Sequence, residues 1–247
     1  MDFLSLWRLL DLEFADPFRN MAVEESIFVN VDENTAPNTL RFWRNKHTVV
    51  IGCSQKVNEV VDLEYCKIYG ITIVRRFTGG GAIYQDFGNL NWTVVVHRRD
   101  RLSPSKPLEI FKVFSEAVIR GLKLLGVDAC FQYPNIITVN GKKISGLAAY
   151  VKKNAVLCHG TLLIDIDLHT LSRVLPLHRN SPMELTCVRD ELENKVSLNI
   201  VKKYIMRGFN EAYEIKVKSL GLSADEELLA ETLCVNKYSR AEWNLRY

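Results

Sequence analysis

Residues 71–97 read ITIVRRFTGGGAIYQDFGNLNWTVVVH, and the alternation of apolar runs with glycine in this stretch decides the fold class. Ile71 to Arg76 is an apolar, β-branched run that predicts a strand entering the glycines. Gly81–Tyr84 and Asn89–His97 predict strands leaving them. Three consecutive glycines, Gly79, Gly80 and Gly81, are costly in conformational entropy. They suit a place where backbone approaches a ligand closely, or where several N–H groups converge on an anion. Arg75 and Arg76 add positive charge in the forked form that matches phosphate or carboxylate. A flexible strand-to-strand turn is the other reading of the same residues. The loop is neither G-x-x-x-x-G-K-[ST] nor a G-x-G-x-x-G turn opening a helix, which excludes a P-loop and a Rossmann turn. Asp86, in the next turn, either serves Mg2+ or a ribose beside the cradle or caps its own turn.

Working outward, Leu4–Leu12 predicts a strand and Pro17 the start of a helix, with apolar spacing at Met21, Ala22, Ile27 and Phe28. Asn38–Trp43 and Thr48–Gly52 predict two strands joined like a hairpin by Arg44–His47. Asp62–Tyr69 predicts a short helix stopped by Gly70. After Pro107, Ile110, Phe111, Phe114, Ala117, Val118, Leu122 and Leu125 form a helical stripe ended by Gly126. Ile136–Val139 and Lys143–Gly146 flank Asn140-Gly141, the favoured pair for a tight hairpin. Ala148–Val151 and Ala155–Leu163 continue as strands, and Leu168–Val174, Ile200–Ala212 and Asp225–Leu233 predict helices. The class is α+β: mixed β-sheets flanked by helices. The expectation is a single catalytic domain over 1–247, with a C-terminal helical part from about residue 200 packed on it.

Lys142 and Lys143 leave the tight turn side by side, so strand alternation sends them to opposite faces. An inward lysine can bridge an α-phosphate and a carboxyl oxygen, stabilising charge as an adenylate forms or is attacked. Two solvated lysines are the alternative. His159 interrupts the apolar run VLCHGTLLI and is either structural or catalytic.

Bulk properties narrow the class. The 247 residues are 47% apolar and 25% charged, enough for a sizeable core. Thirty-two Lys and Arg against 29 Asp and Glu give a net charge of +3, with no basic block, so nucleic acid is not an expected partner. His97-Arg98-Arg99 is a solvated strand end or a dock for an acidic partner. No apolar run approaches the roughly 18 residues that span a bilayer, and no signal peptide is evident. The expected compartment is the cytoplasm, or the mitochondrial matrix in a eukaryote. Six cysteines without a C-x-x-C pair argue against a zinc or redox motif.

Together these motifs resemble the lipoate–protein ligases. The resemblance rests on Arg75-Arg76-x-x-Gly79-Gly80-Gly81-Ala82-Ile83-Tyr84-x-Asp86-x-Gly88-Asn89-x-Asn91, on Asn135 with Gly141-Lys142-Lys143-Ile144-Ser145-Gly146, and on His159-Gly160-Thr161-Leu162-Leu163. Asn20-Met21-Ala22-x-Glu24-Glu25 resembles the family's first helix, and Lys237-Tyr238-Ser239-x-x-Glu242-Trp243-Asn244 the end of its catalytic domain. Gln85 stands where the family often has His, and Ile136 where it often has Asp. The resemblance implies the biotin/lipoate-protein-ligase catalytic fold. It implies that lipoate and ATP with Mg2+ give lipoyl-AMP, which the ε-amine of a carrier lysine then attacks. The implied carriers are the lipoyl domain of a 2-oxoacid dehydrogenase E2 subunit and the glycine-cleavage H protein. Lys143 is the implied catalytic residue. Arg76, Thr78, Gly79, Gly80, Gly81, Ala82, Ile83, Tyr84, Asp86, Asn89, Asn135, Gly146 and His159 are the implied nucleotide- and substrate-binding residues, with no firm protein ligand for metal. The chain stops after Glu242-Trp243-Asn244, as archaeal-type ligases do, so a separate small accessory subunit and weak adenylation by this chain alone are expected. The competing reading is an octanoyltransferase fed by octanoyl acyl carrier protein, with Cys130 as nucleophile. Biotin ligase is disfavoured, because its Gly-Arg-Gly-Arg-type loop is missing.

Overall fold

The computed structural model describes residues 6–104, 106, 109–176 and 183–246. Leu4 and Ser5 of the predicted first strand, and Pro107, lie outside them. The large sheet has eight strands in the order β11-β1-β2-β6-β10-β9-β8-β7. These are β1 (Leu6–Asp11), β2 (Thr39–Trp43), β6 (Asn89–His97), β7 (Cys130–Gln132), β8 (Ile136–Val139), β9 (Lys142–Val151), β10 (Ala155–Leu163) and β11 (Lys216–Ser219). β1 pairs parallel with β2 and β11, and the other neighbours are antiparallel. A small sheet, ordered β4-β3-β5, holds β3 (Thr48–Ile51), β4 (Thr72–Arg75) and β5 (Ile83–Gln85).

The long helix α4 (Glu109–Leu125) places Ile110, Phe114, Val118 and Leu122 on one face of the large sheet, beside α7 (Leu198–Tyr213) with Val201, Ile205 and Phe209. Burying these stripes is the main favourable term for this layer, on the order of 2 kcal/mol for each large apolar side chain. Helix α1 (Pro17–Asp32) covers the other face through Val23, Ile27, Phe28 and Val31. Asp16 caps it by accepting from the Phe18 N–H, and Pro17 occupies the first turn, where its missing donor is not needed. Helix α8 (Ala224–Leu233) packs behind α1 and is tied to β1 by a buried ion pair of Arg8 with Glu226 at 2.5 Å.

Three expectations are corrected. β2 and β3 do not form a hairpin: Arg44–His47 carries the chain from the large sheet into the small one. β3 instead pairs with β4 and β5, which brackets the glycine loop. The C-terminal part is not wholly helical, because Lys216–Ser219 adds β11 to the edge of the large sheet. Lys142–Gly146 and Ala148–Val151 are one continuous strand, β9. The Asn140-Gly141 turn is as expected, with φ of 50° and 79°. No described helix is long and apolar enough to cross a membrane.

Candidate active site

The two sheets meet over a cavity of about 270 Å³, near the small end of ligand sites. The glycine loop forms one wall. Gly80 has φ +96° and its carbonyl lies against Gly52, where a Cβ would stand 2.1 Å from the oxygen. Only glycine at 52 lets the loop fold down this far. Arg76 then holds the loop in shape. Its Nη2 donates to Gly79 O at 2.7 Å and Gly81 O at 2.9 Å, its Nη1 to Val50 O at 3.3 Å, and its Nε to Thr78 Oγ1 at 3.0 Å. Arg75 is likewise turned inward, onto the carbonyls of Gly52, Gln55, Trp243 and Arg246. The pair of arginines is therefore not an open anion fork. Arg76 lines the cavity but spends its donors on backbone oxygens and the Thr78 hydroxyl.

Lys143 enters from the opposite wall. A bulge in the β8–β9 ladder, between Ile137 and Thr138, breaks the alternation of β9, so Ile144 and Ser145 are both buried. Lys142 points outward and pairs with Glu184 at 3.2 Å. Lys143 points into the cavity, and its backbone is clamped on the outer side: it donates to Glu184 O at 2.8 Å and accepts from Thr186 N at 3.0 Å. Among the described residues its Nζ has no hydrogen-bond or ion-pair partner, and burial lowers its pKa. An ammonium that has lost hydration and gained no counter-ion is preorganised to receive an anionic group. Lys143 and Gly146 also line a small apolar annex with Tyr84, Leu163, Leu171, Leu175 and Leu185.

The floor is a polar network on β5, β6 and β10. Gln85 Nε2 donates to Asn91 Oδ1 at 2.7 Å and Thr161 Oγ1 at 3.0 Å, Thr161 donates to Asn91 Oδ1 at 2.6 Å, and Asn45 donates to Gln85 Oε1 at 2.8 Å. The amide at Gln85 is fully accommodated. Ile136 sits in the cavity wall beside Asn135, whose Nδ2 donates to Leu147 O at 2.7 Å.

Of the expected site residues, Arg76, Gly81, Ala82, Ile83, Asn135, Lys143, Gly146 and His159 line the cavity. Tyr84 lines the annex only, and its hydroxyl bonds His47 at 3.0 Å. Thr78 is buried behind His159, at 2.9 Å from its Nε2. Gly79 and Gly80 present their carbonyls to Arg76 and Gly52 rather than to the cavity. Asp86 and Asn89 form their own turn: Gly88 N donates to Asp86 Oδ1, Asp167 N to Asp86 Oδ2, and Asp86 N to Asn89 Oδ1. The turn-capping reading of Asp86 is the one observed, and Asp86 opens onto a separate surface cleft. Cys130 is exposed on the edge strand β7, outside the cavity. The described residues contain no group of three His, Cys, Asp or Glu able to hold a metal, so they build no Mg2+ cage.

Glu24, quoted above only within the first-helix motif, is not among the implied site residues. It is fully buried in α1, lines the cavity, and accepts from His159 Nδ1 at 3.0 Å and Thr93 Oγ1 at 2.5 Å. Burial pushes this carboxyl up, but the His159 ring and the hydrogen bonds from His159 and Thr93 outweigh it, leaving the pKa lowered. The available signal was an acid amid Met21, Ile27 and Phe28 at i−3, i+3 and i+4, on the buried face of the helix.

An α+β fold with a glycine wall and, facing it, a lysine without a partner among the described residues suits an acyl- or nucleotide-handling class of domain. Residues 16–210 match the model of the lipoyl protein ligase A/B catalytic domain. The chain belongs to that family. Lipoate-protein ligase A subunit 1 of Thermoplasma acidophilum is 35% identical, with 96% of each chain covered. An octanoyltransferase LipM of Anoxybacillus flavithermus is 27% identical, over 98% of this chain and 99% of that one. Among solved structures, a bipartite lipoate protein ligase studied with its E2 lipoyl domain from T. acidophilum superposes with TM-score 0.89 at 34% identity, covering 98% and 96%. A lipoate-protein ligase A bound with ATP superposes with TM-score 0.87 at 35% identity, covering 96% and 98%.

Proposed function

We propose that this protein is an ATP-dependent lipoate–protein ligase that forms or uses lipoyl-AMP and transfers the lipoyl group to a carrier lysine. The observation that carries this reading is Lys143: a half-buried ammonium with no counter-ion among the described residues, standing between a cavity and an apolar annex, opposite a glycine wall. In the first step a carboxylate oxygen attacks the α-phosphorus of ATP and pyrophosphate leaves. Two anions must approach each other, and Lys143 lowers that repulsion from between them. In the second step the ε-amine of the carrier attacks the carbonyl of the mixed anhydride, AMP departs, and the amine gives up its proton. No protein nucleophile is needed, which agrees with the position of Cys130 outside the cavity. Mg2+ is assigned no protein ligand and would accompany the phosphates of ATP.

The carrier class is a lipoyl domain, or the glycine-cleavage H protein. A separate accessory subunit that supports adenylation is part of the proposal, because the 34% identical ligase is described as bipartite. Six free cysteines suit a reducing compartment such as the cytoplasm. Intact-mass analysis of a lipoyl domain after incubation with preformed lipoyl-AMP, or with lipoate, ATP and Mg2+, tests the reading. A lipoyl mass increment, lost in Lys143→Ala, is expected. An increment obtained only from octanoyl acyl carrier protein, without ATP, would make this a transferase, the activity named for the LipM relatives.

A further inference from the structure

Glu24 and Arg76 are oppositely charged, both buried, and both line the cavity, yet no direct ion pair joins them. Two side chains stand between. Arg76 Nε donates to Thr78 Oγ1 at 3.0 Å, Thr78 Oγ1 meets His159 Nε2 at 2.9 Å, and His159 Nδ1 meets Glu24 Oε1 at 3.0 Å. An ionised carboxylate can only accept, so the proton of a neutral His159 ring lies on Nδ1. Nε2 is then a lone pair, and the Thr78 hydroxyl must donate to it. That leaves a Thr78 lone pair for Arg76. A second branch ends on the same oxygen: Trp43 Nε1 donates to Thr93 Oγ1 at 3.2 Å, and Thr93 donates to Glu24 Oε1 at 2.5 Å. Every donor in the chain points towards Glu24.

The other end of the relay is the glycine loop, since the same guanidinium grips Gly79 O and Gly81 O. Nε itself is shared between Thr78 Oγ1 at 3.0 Å and Gly79 O at 3.2 Å, so a guanidinium that loses Thr78 and turns would carry its loop contacts with it. Burial pushes Arg76 down to about 10, and the charge of Glu24 acts against that. Charge-assisted hydrogen bonds of this kind are about twice as strong as neutral ones and fix direction as well as distance.

We propose that Glu24 is a positioning residue for the glycine loop: through His159 and Thr78 it holds Arg76 in the orientation that keeps Gly79–Gly81 in place as the cavity wall. This deepens the ligase reading and rests on it for its binding readout. A direct role is the competitor, because Glu24 Oε2 is buried, has no partner among the described residues, and could itself meet a ligand.

The test combines a binding cycle with a spectroscopic measurement. The probe is lipoyl-sulfamoyl adenosine, a non-hydrolysable acyl-adenylate analogue, titrated by calorimetry. Thr78→Val, which keeps shape and removes the hydroxyl, is expected to weaken binding about tenfold, as loss of a charge-assisted hydrogen bond does, while Thr78→Ser restores it. Glu24→Gln is expected to weaken it by a similar factor. The double variant should then be no weaker than the worse single one, because both break the same chain. A double variant weakened by the product of the two factors, about a hundredfold, would overturn the relay in favour of a direct contact. Nitrogen-15 spectra of the ligand-free wild type give a readout independent of ligase activity: with the His159 ring in its neutral form, the proton is expected on Nδ1. A ring protonated on Nε2 would reverse the direction required and overturn the proposal. Wild-type protein that ignores the analogue would sink the ligase reading, and the tautomer would still decide the relay.

Discussion

The side chain of Lys143 lies across Gly146: a Cβ at position 146 would stand 3.0 Å from both Cε and Nζ of the lysine. The glycine is thus explained by the lysine that it leaves room for. Gly146→Ala should push Lys143 off its place at little cost to the fold, since the displaced group is the end of a flexible chain. We expect a melting temperature close to wild type and a loss of lipoyl transfer of about tenfold or more, the equivalent of about 1.4 kcal/mol. A variant that melts early but transfers normally per folded molecule would contradict this account.

Lys143 should also be a liability in the ligand-free protein. Its pKa is lowered by burial, so the unfolded chain holds that proton more tightly than the native one. The penalty is therefore fully present below the folded pKa and is relieved as pH rises through the ordinary lysine range. Lys143→Met is expected to raise native stability by about 1 kcal/mol near neutrality, or about 2–4 °C in melting temperature, while abolishing activity. Scans at increasing alkalinity should show the gain shrinking. A gain that grows with pH would reverse the sign and refute the argument.

The glycines in and against the loop are not equivalent. Gly52 faces the carbonyl of Gly80 at a distance no Cβ tolerates, whereas a Cβ at Gly81 meets nothing within 4 Å. Gly52→Ala should cost about 1–3 kcal/mol, because backbone must move. Gly81→Ala should leave stability unchanged and raise KM for ATP or lipoate, since the space it fills belongs to the cavity. Thermal melts and steady-state kinetics on both variants separate the two roles.

Cys130 is exposed on an edge strand and contributes nothing to the cavity wall. Cys130→Ser should change lipoyl transfer by no more than about twofold, as for a surface substitution. Loss of acyl transfer on that change would restore a thioester route.

Arg8 and Glu226 join β1 to α8 through two hydrogen bonds of 2.6 Å and 2.5 Å, both side chains being buried. Arg8→Met alone leaves a carboxylate buried without its partner and should cost about 3–5 kcal/mol in chemical denaturation. The double change Arg8→Met with Glu226→Leu should recover much of that loss. Full additivity of the two would show that the pair is not coupled.

Much of this molecule is local in origin. The amphipathic stripe from Ile110 to Leu125, the Asn140-Gly141 turn and the strands Asn89–His97 and Ala155–Leu163 follow from residue spacing and turn chemistry, and the structure has them. The opposite orientation of Lys142 and Lys143 follows from strand alternation alone. The glycine loop and Lys143 were legible as ligand-binding elements for the same reason: they violate what an ordinary strand or turn requires.

Partner choice was not local. Thr48–Ile51 reads as the return strand of a hairpin, but its neighbours, Thr72–Arg75 and Ile83–Gln85, come from further along the chain, so β3 belongs to another sheet. Lys216–Ser219 is too short and too charged to announce a strand, and it becomes one by adding to the edge of β1. Arg75 and Arg76 look like anion receptors in sequence, because the carbonyls that take up their donors lie at Val50, Gly52, Gln55 and Trp243. Glu24 looks like an ordinary helix acid until His159 and Thr93 arrive from two strands of the large sheet. Residue order determined which segments are helix or strand and which residues are chemically unusual. Tertiary structure alone decided which charges are already satisfied, and it left Lys143 as the cation still facing the cavity without a partner among the described residues.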